Sequence, residues 1–223
     1  MSALRNKRNQ ELSLRWGVYF IGLLIMSLGI VLTIRAELGT SPWDVLHIGL
    51  YYQLGLTIGT WAIIVGGTIL LLSSIFTKKW PQAGAIVNML TVGVFIDLYL
   101  MMPFIQTPSS AAGKTLMLLM GIIVMGYGIG VYISAGCGAG PRDTLMLALV
   151  EKTGMKVSRI RGGIELIVLL IGWLLGGPVF IGTIVCTISI GFVIGITLPQ
   201  CQKTTNALIE KTLRKDPPVH QVS

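Results

Sequence analysis

Two short stretches of this chain place a glycine, a proline and an acid at the same spacing. Gly39-Thr40-Ser41-Pro42-Trp43-Asp44 and Gly138-Ala139-Gly140-Pro141-Arg142-Asp143 both read Gly-x-x-Pro-x-Asp. The pattern is that of a helix start. Ser41 or Gly140 suits the N-cap, and Pro42 or Pro141 suits the first helical position, where the missing N–H costs nothing. Asp44 and Asp143 then fall at the third position, able to reach back to the N-cap N–H and favoured by the positive end of the helix dipole. Gly39 and Gly138 permit the sharp turn, or hinge, that leads in. Such an uncovered helix start attracts anions and polar ligands, and its carboxylate can coordinate a cation. The plainer alternative is that both acids only cap helices at a membrane interface.

Other polar residues extend the set. His47 lies three residues after Asp44 and Tyr51 four further on, so the three share one helix face. The second stretch replaces His47 by Met146 and Tyr51 by Val150. Asp97 stands in a long apolar run, where an acid is costly and points to an ion or proton site. It lies only five residues before Met102, however, so a place near the headgroups is the competing account. Glu165 follows Arg161 by four residues, the spacing of a helical ion pair. Asn88, Thr91 and Ser189 suit hydrogen bonds between helices, and Gly126/Gly130, Gly172/Gly176 and Gly191/Gly195 have the spacing of close helix packing. Cys137, Cys186 and Cys201 fit no metal or disulfide framework. No metalloprotease, nucleophile-elbow, phosphate-loop or dinucleotide motif occurs, and the second histidine, His220, falls in a polar tail. No enzyme activity, cofactor or metal is expected.

The elements that must position these residues are membrane helices. Of 223 residues 53% are apolar and only 12% charged, about half the charged share of a soluble protein. A span needs roughly 20 apolar residues. Residues 16–34, 61–76, 84–102, 115–134, 164–176 and 179–198 satisfy or approach this, the fifth only by borrowing from 161–163. Residues 42–54 and 141–153 make helices of about 20 Å, too short for an untilted crossing. They are either half-helices that enter and return or short full crossings. With the basic N-terminus in the cytoplasm and six crossings, all of the 17 Lys and Arg except Arg35 and Lys114 are cytoplasmic. With eight crossings Arg35, Lys78, Lys79 and Arg142 all fall outside, so six obey the positive-inside rule better. The net charge of +8 therefore reflects topology and not nucleic-acid binding.

The chain also repeats itself. Shifted by 99 positions, residues 22–55 lie on 121–154 with Gly22/Gly121, Gly29/Gly128, Gly39/Gly138, Pro42/Pro141, Asp44/Asp143 and Gly55/Gly154 matched. A shift of 98 matches Gly84/Gly182 and Gly93/Gly191. The expected organisation is a basic N-terminus (1–15), a first membrane unit (16–102), a linker (103–114), a second unit (115–199) and a polar cytoplasmic tail (200–223). The fold class is all-α, with three transmembrane helices and one short helix in each repeat. An odd number of crossings per unit inserts the second unit upside down, a design common among secondary transporters.

The stretch from Gly39 to His47, together with the later Gly-x-x-Pro-Arg-Asp, resembles the YczE/YyaS/YitT group of bacterial integral membrane proteins, and its YczE-like branch in particular, over about residues 15–200. The resemblance implies a multi-pass protein of the bacterial plasma membrane. Longer YitT-like members carry a soluble C-terminal domain that this sequence does not contain, so a sensing role for such a domain does not carry over.

Taken together, these readings lead to transport of a small solute, by secondary transport on the strength of the repeat. Asp44, Asp143, Pro42, Pro141, Asp97 and His47 would line the path, Gly39 and Gly138 would be its hinges, and Asp97 the ionisable coupling group. A passive channel and a non-transporting membrane partner are the alternatives. The partners expected are the lipid bilayer and a small molecule or ion, with self-association left open and nucleic acid excluded.

Overall fold

The computed structural model describes residues 2–215, and every regular element among them is helical. In order these are α1 (Ser2–Arg35), α2 (Pro42–Leu54), α3 (Ile58–Thr77), α4 (Ala83–Leu100), α5 (Ala111–Ser134), α6 (Pro141–Thr153), α7 (Val157–Leu174) and α8 (Ile181–Lys215). His220 lies outside the described residues. Five helices, α1, α3, α4, α5 and α8, are long and apolar enough to cross a membrane. α7 has the length of a short span but carries Arg159, Arg161 and Glu165.

The direction of each helix follows from its neighbours. Call the side on which α1 begins the near face. α5 runs antiparallel to α1, because the Arg15 guanidinium donates to the Ala135 carbonyl at one end and Lys114 pairs with Glu37 at the other. α4 runs with α1, since Tyr19 Oη donates to the Gly84 carbonyl and Arg35 to the Leu100 carbonyl. α3 starts on the far face beside Asp97 at the end of α4. α8 starts there too, its Gly182 N–H donating to the Leu38 carbonyl, and returns near, where Ser134 meets Thr205.

Both short helices are re-entrant. α1 ends and α3 begins on the far face, so the chain between them enters and leaves on one side. α2 accordingly starts inside the bundle and runs outward along α7, from Leu46 against Gly172 to Gln53, which donates to the Leu175 carbonyl. α6 does the same from the near face, ending where Glu151 pairs with Lys79 and Lys152 lies 4.7 Å from the Phe76 ring centre, both at the end of α3. Within the bundle α2 and α6 thus each run back toward the face from which the chain entered.

Contacts between the halves are reciprocal. A Cβ added to Gly22 would meet Tyr132, and one added to Gly121 would meet Thr33. Gly29 abuts Met125 and Gly128 abuts Met26 in the same way. In the 99-residue shift each pair is the exchange of the other, as a two-fold relation between antiparallel units demands. The glycines let the α1 and α5 backbones approach closely, which in lipid supplies packing that the hydrophobic effect cannot. Around this seam a core of Tyr19, Leu23, Met26, Ile30, Val31 and Met125 is buried.

The symmetry fails in one place. α3 packs closely on α4, whereas the equivalent helices α7 and α8 have at most marginal contact. At the first seam Asp97 accepts hydrogen bonds from the Thr57 hydroxyl at 2.5 Å and the Gly59 N–H at 2.8 Å. Its repeat equivalent is Gly195, around which there is open space, as there is around Gly191. Gly191/Gly195 thus depart from the packing expectation, while Gly126, Gly130 and Gly172 meet neighbouring helices. The C-terminal region also differs from a separate polar tail. α8 continues through Pro199 to Lys215 and buries Cys201, Thr205 and Ile209, one helical stripe.

Candidate functional site

The two Gly-x-x-Pro-x-Asp stretches enter from opposite faces and meet at one cavity of about 210 Å³ in the middle of the bundle. Ser41, Pro42, Trp43 and His47 line it from the first unit, and Gly140, Pro141, Arg142 and Asp143 from the second. The local reasons are those of a helix start. Gly39 and Gly138 take φ of 99° and 137°, a region that side chains rarely adopt. A Cβ on Gly39 would also strike the Thr183 hydroxyl at 2.6 Å. Ser41 and Gly140 are extended N-caps, followed by proline in each case. The Ser41 side chain does not bond the backbone and Gly140 has no side chain to do so, so neither helix start has its N–H groups capped by the N-cap residue.

Asp44 is completely buried. It makes side-chain bonds in place of the backbone cap that its position suggested. Its Oδ2 accepts from the Ser41 hydroxyl at 2.5 Å, and the Thr40 hydroxyl lies 3.5 Å away. Behind it Thr40 meets Thr33 at 2.8 Å, and Thr33 donates to the Ile30 carbonyl. Its other oxygen, Oδ1, has no hydrogen-bond partner, and faces Arg142 Nη2 at 3.7 Å and His47 Nδ1 at 3.8 Å. His47 is 2% exposed and its Nδ1 is likewise unpartnered. These separations exceed direct hydrogen bonding but suit a bridging water or a small ion.

Arg142 links the two halves. It occupies the repeat position of Trp43, and its guanidinium carbon sits 5.0 Å from the centre of that ring, a cation–π distance. Its side chain is 39% exposed despite this depth, because it faces the cavity. Asp143 accepts from Tyr132 Oη at 3.4 Å, and Tyr132 stands edge-on to Tyr19. Asn88 of α4 is 6% exposed, lines the cavity beside Gly140 and leaves Nδ2 without a partner. Toward the near face Arg161 and Glu165 also line it, joined to each other at 3.0 Å.

The structure therefore gathers Asp143, Pro42, Pro141 and His47 on the cavity, with Asp44 directly behind and the two glycine hinges at its entrance turns. It does not bring Asp97 there. Asp97 ties the start of α3 to α4 on the far side. Arg142, Asn88 and Tyr132 are among the lining residues that were not expected site residues. Arg142 left a signal, since a cation in the first turn of a helix opposes the dipole and must be held by something else. Asn88 and Tyr132 left none beyond being polar within a span.

Residues 13–199 match the model of a family described as being of unknown function, DUF6198. The chain is 44% identical over 216 residues to the "Uncharacterized membrane protein YczE" of Bacillus subtilis (strain 168), covering 95% of this chain and 99% of that one. It is 29% identical to the "Uncharacterized protein YyaS" of the same organism, over 85% of this chain and 95% of the relative. An "Uncharacterized protein" of Haemophilus influenzae is 28% identical, over 79% and 80% of the two chains. No solved structure matches.

Proposed function

The chain belongs to the DUF6198 family of membrane proteins, and from its own geometry we propose that it carries a small solute across the bacterial plasma membrane by secondary transport. The observation behind this reading is the meeting of two inverted, re-entrant helix starts at one cavity, bridged by the Arg142–Asp44 contact. In lipid, non-helical backbone is tolerated only where protein buries it or it lines a wet path, and discontinuous helices of inverted repeats are where transporters hold their cargo. The near face is the cytoplasm in this reading, which places the basic N-terminus inside. No chemical change of the solute is involved.

The parts have separable roles. Arg142 and the helix starts hold the solute. Asp44, whose free oxygen faces Arg142 and His47, is the ionisable group that couples movement to an ion or proton. That role passes to it from Asp97, which is engaged in joining α3 to α4. The unequal α3–α4 and α7–α8 seams supply a closed and an open side, and exchange of the two would open the cavity to the other face.

Reconstitution into liposomes tests the proposal. An imposed proton or sodium gradient drives solute accumulation in the wild type, and Asp44→Asn abolishes the coupling. Flux that never exceeds equilibrium and does not saturate replaces the carrier with a channel. Absence of flux for every solute in a broad panel, with partner proteins still recovered, favours the non-transporting role.

A further inference from the structure

The central cavity does not end at its polar lining. A second space of about 330 Å³ opens beside it, between α2, α3, α6 and α7. Trp43, Val65, Ile69 and Ile164 line both. The remaining walls of the second space, Leu46, Leu145, Ile167 and Val168 among them, are apolar except for Thr68. It lies open at the lipid-facing side, where Ile167 is 60% exposed.

The polar end has donors to spare. Asn88 Nδ2 is buried and unpartnered, the start of α6 lacks a side-chain cap, and the Arg142 guanidinium has its acid partner no closer than 3.7 Å. Against them, Glu165 is paired with Arg161 and Asp143 takes the Tyr132 hydroxyl. Asp44 stands behind the lining and accepts from Ser41. An incoming group that accepts hydrogen bonds and carries negative charge satisfies all three donors. The starts of α2 and α6 both direct the positive ends of their dipoles at this cavity, which favours an anion over a cation.

On the reading that this cavity holds the transported solute, we infer that the solute is an amphipathic anion. Its oxyanionic head sits between Asn88, Arg142 and the start of α6, and its apolar body lies in the groove formed by α2, α3, α6 and α7.

Calorimetric titration of the full chain, reconstituted in phosphatidylcholine liposomes, with sodium alkanoates from butanoate to dodecanoate tests this. Protein-free liposomes supply the partition background. Affinity rises about four-fold per methylene, the increment of a buried CH₂, until the groove is filled, and then levels. Alkanols and alkyltrimethylammonium salts of equal length bind at least ten-fold more weakly. Arg142→Gln weakens every alkanoate at least ten-fold and keeps the chain-length increment. Should that variant not remain monodisperse, Asn88→Ala serves for the head. Ile167→Trp leaves short acids unchanged and ends the increment at a shorter chain. Equal binding of the matched cations, or no chain-length dependence above background, overturns the inference. Including phosphatidylglycerol as one lipid in three distinguishes the source. Loss of alkanoate binding assigns the head to a bilayer lipid, and unchanged binding to a free amphiphile, both amphipathic anions. Binding with no flux of any solute removes the transport reading and leaves this site. Flux of another solute without alkanoate binding removes this inference alone.

Discussion

Gly93 and Gly191 occupy equivalent places in the two repeats, and their replacement by alanine separates the two seams. At Gly93 an added Cβ meets the Ile63 side chain and lies 2.6 Å from the Gly59 carbonyl oxygen, a backbone atom that cannot swing away. α3 and α4 would have to part by something on the order of half an ångström to one ångström. A gap of that size forfeits about a quarter to a half of each affected dispersion contact. Overpacking of this kind costs about 1–3 kcal/mol. At Gly191 nothing lies within 4 Å of the same atom. Both substitutions gain the same helix propensity, at most about 1 kcal/mol, so it cancels in the comparison. Gly93→Ala should therefore be less stable than Gly191→Ala by about 1–3 kcal/mol. Unfolding of the reconstituted protein by rising detergent mole fraction, followed by circular dichroism, reads the difference. Equal stabilities would mean that the α7–α8 seam is as closely packed as α3–α4, and the proposed open side would have no basis.

Three further outcomes are expected. Asp97→Leu removes the acceptor of Thr57 and Gly59 and lowers stability by about 1.5–3 kcal/mol, while Asp97→Asn leaves the pH profile of any flux unchanged; a shifted profile in the asparagine variant would restore a coupling role. Asp44→Asn and Arg142→Gln are non-additive, with a coupling of about 1–3 kcal/mol in a thermodynamic cycle, less than for a fully buried pair because Arg142 faces the cavity; additive effects would show that the two halves are not joined there. The hydrogen bond from Lys114 holds the exposed Glu37 carboxyl below its ordinary 4.5, so its small contribution is complete above that value and fades as pH falls through the lowered one. Melting of Glu37→Gln should accordingly lie just below wild type at neutral pH and converge with it in acid, and a gap that widens in acid would contradict this.

Much of the architecture was legible in the amino-acid order. Apolar runs of span length report directly on the solvent they must meet, and α1, α3, α4 and α5 fall where those runs lie. The Gly-x-x-Pro-x-Asp stretches start helices for reasons confined to four or five neighbouring residues, and α2 and α6 begin at Pro42 and Pro141 accordingly. The charge bias favoured six crossings over eight. The end of α8 was less legible, because Pro199 and the polar residues after it resemble a stop, while burial of Cys201, Thr205 and Ile209 continues the helix.

What a residue touches across the bundle was a different matter. Asp97 and Asp44 are both acids within membrane segments, yet one joins two helices at an edge and the other sits at the centre facing an arginine 98 positions away. Gly93 and Gly191 are the same residue at equivalent positions, and only one has a neighbour. Local spacing determines which side chains share a helix face, because that is set by 1.5 Å and 100° per residue. Which faces then meet depends on the summed packing of every helix at once, and the cavity, its unpaired donors and its apolar extension exist only at that level.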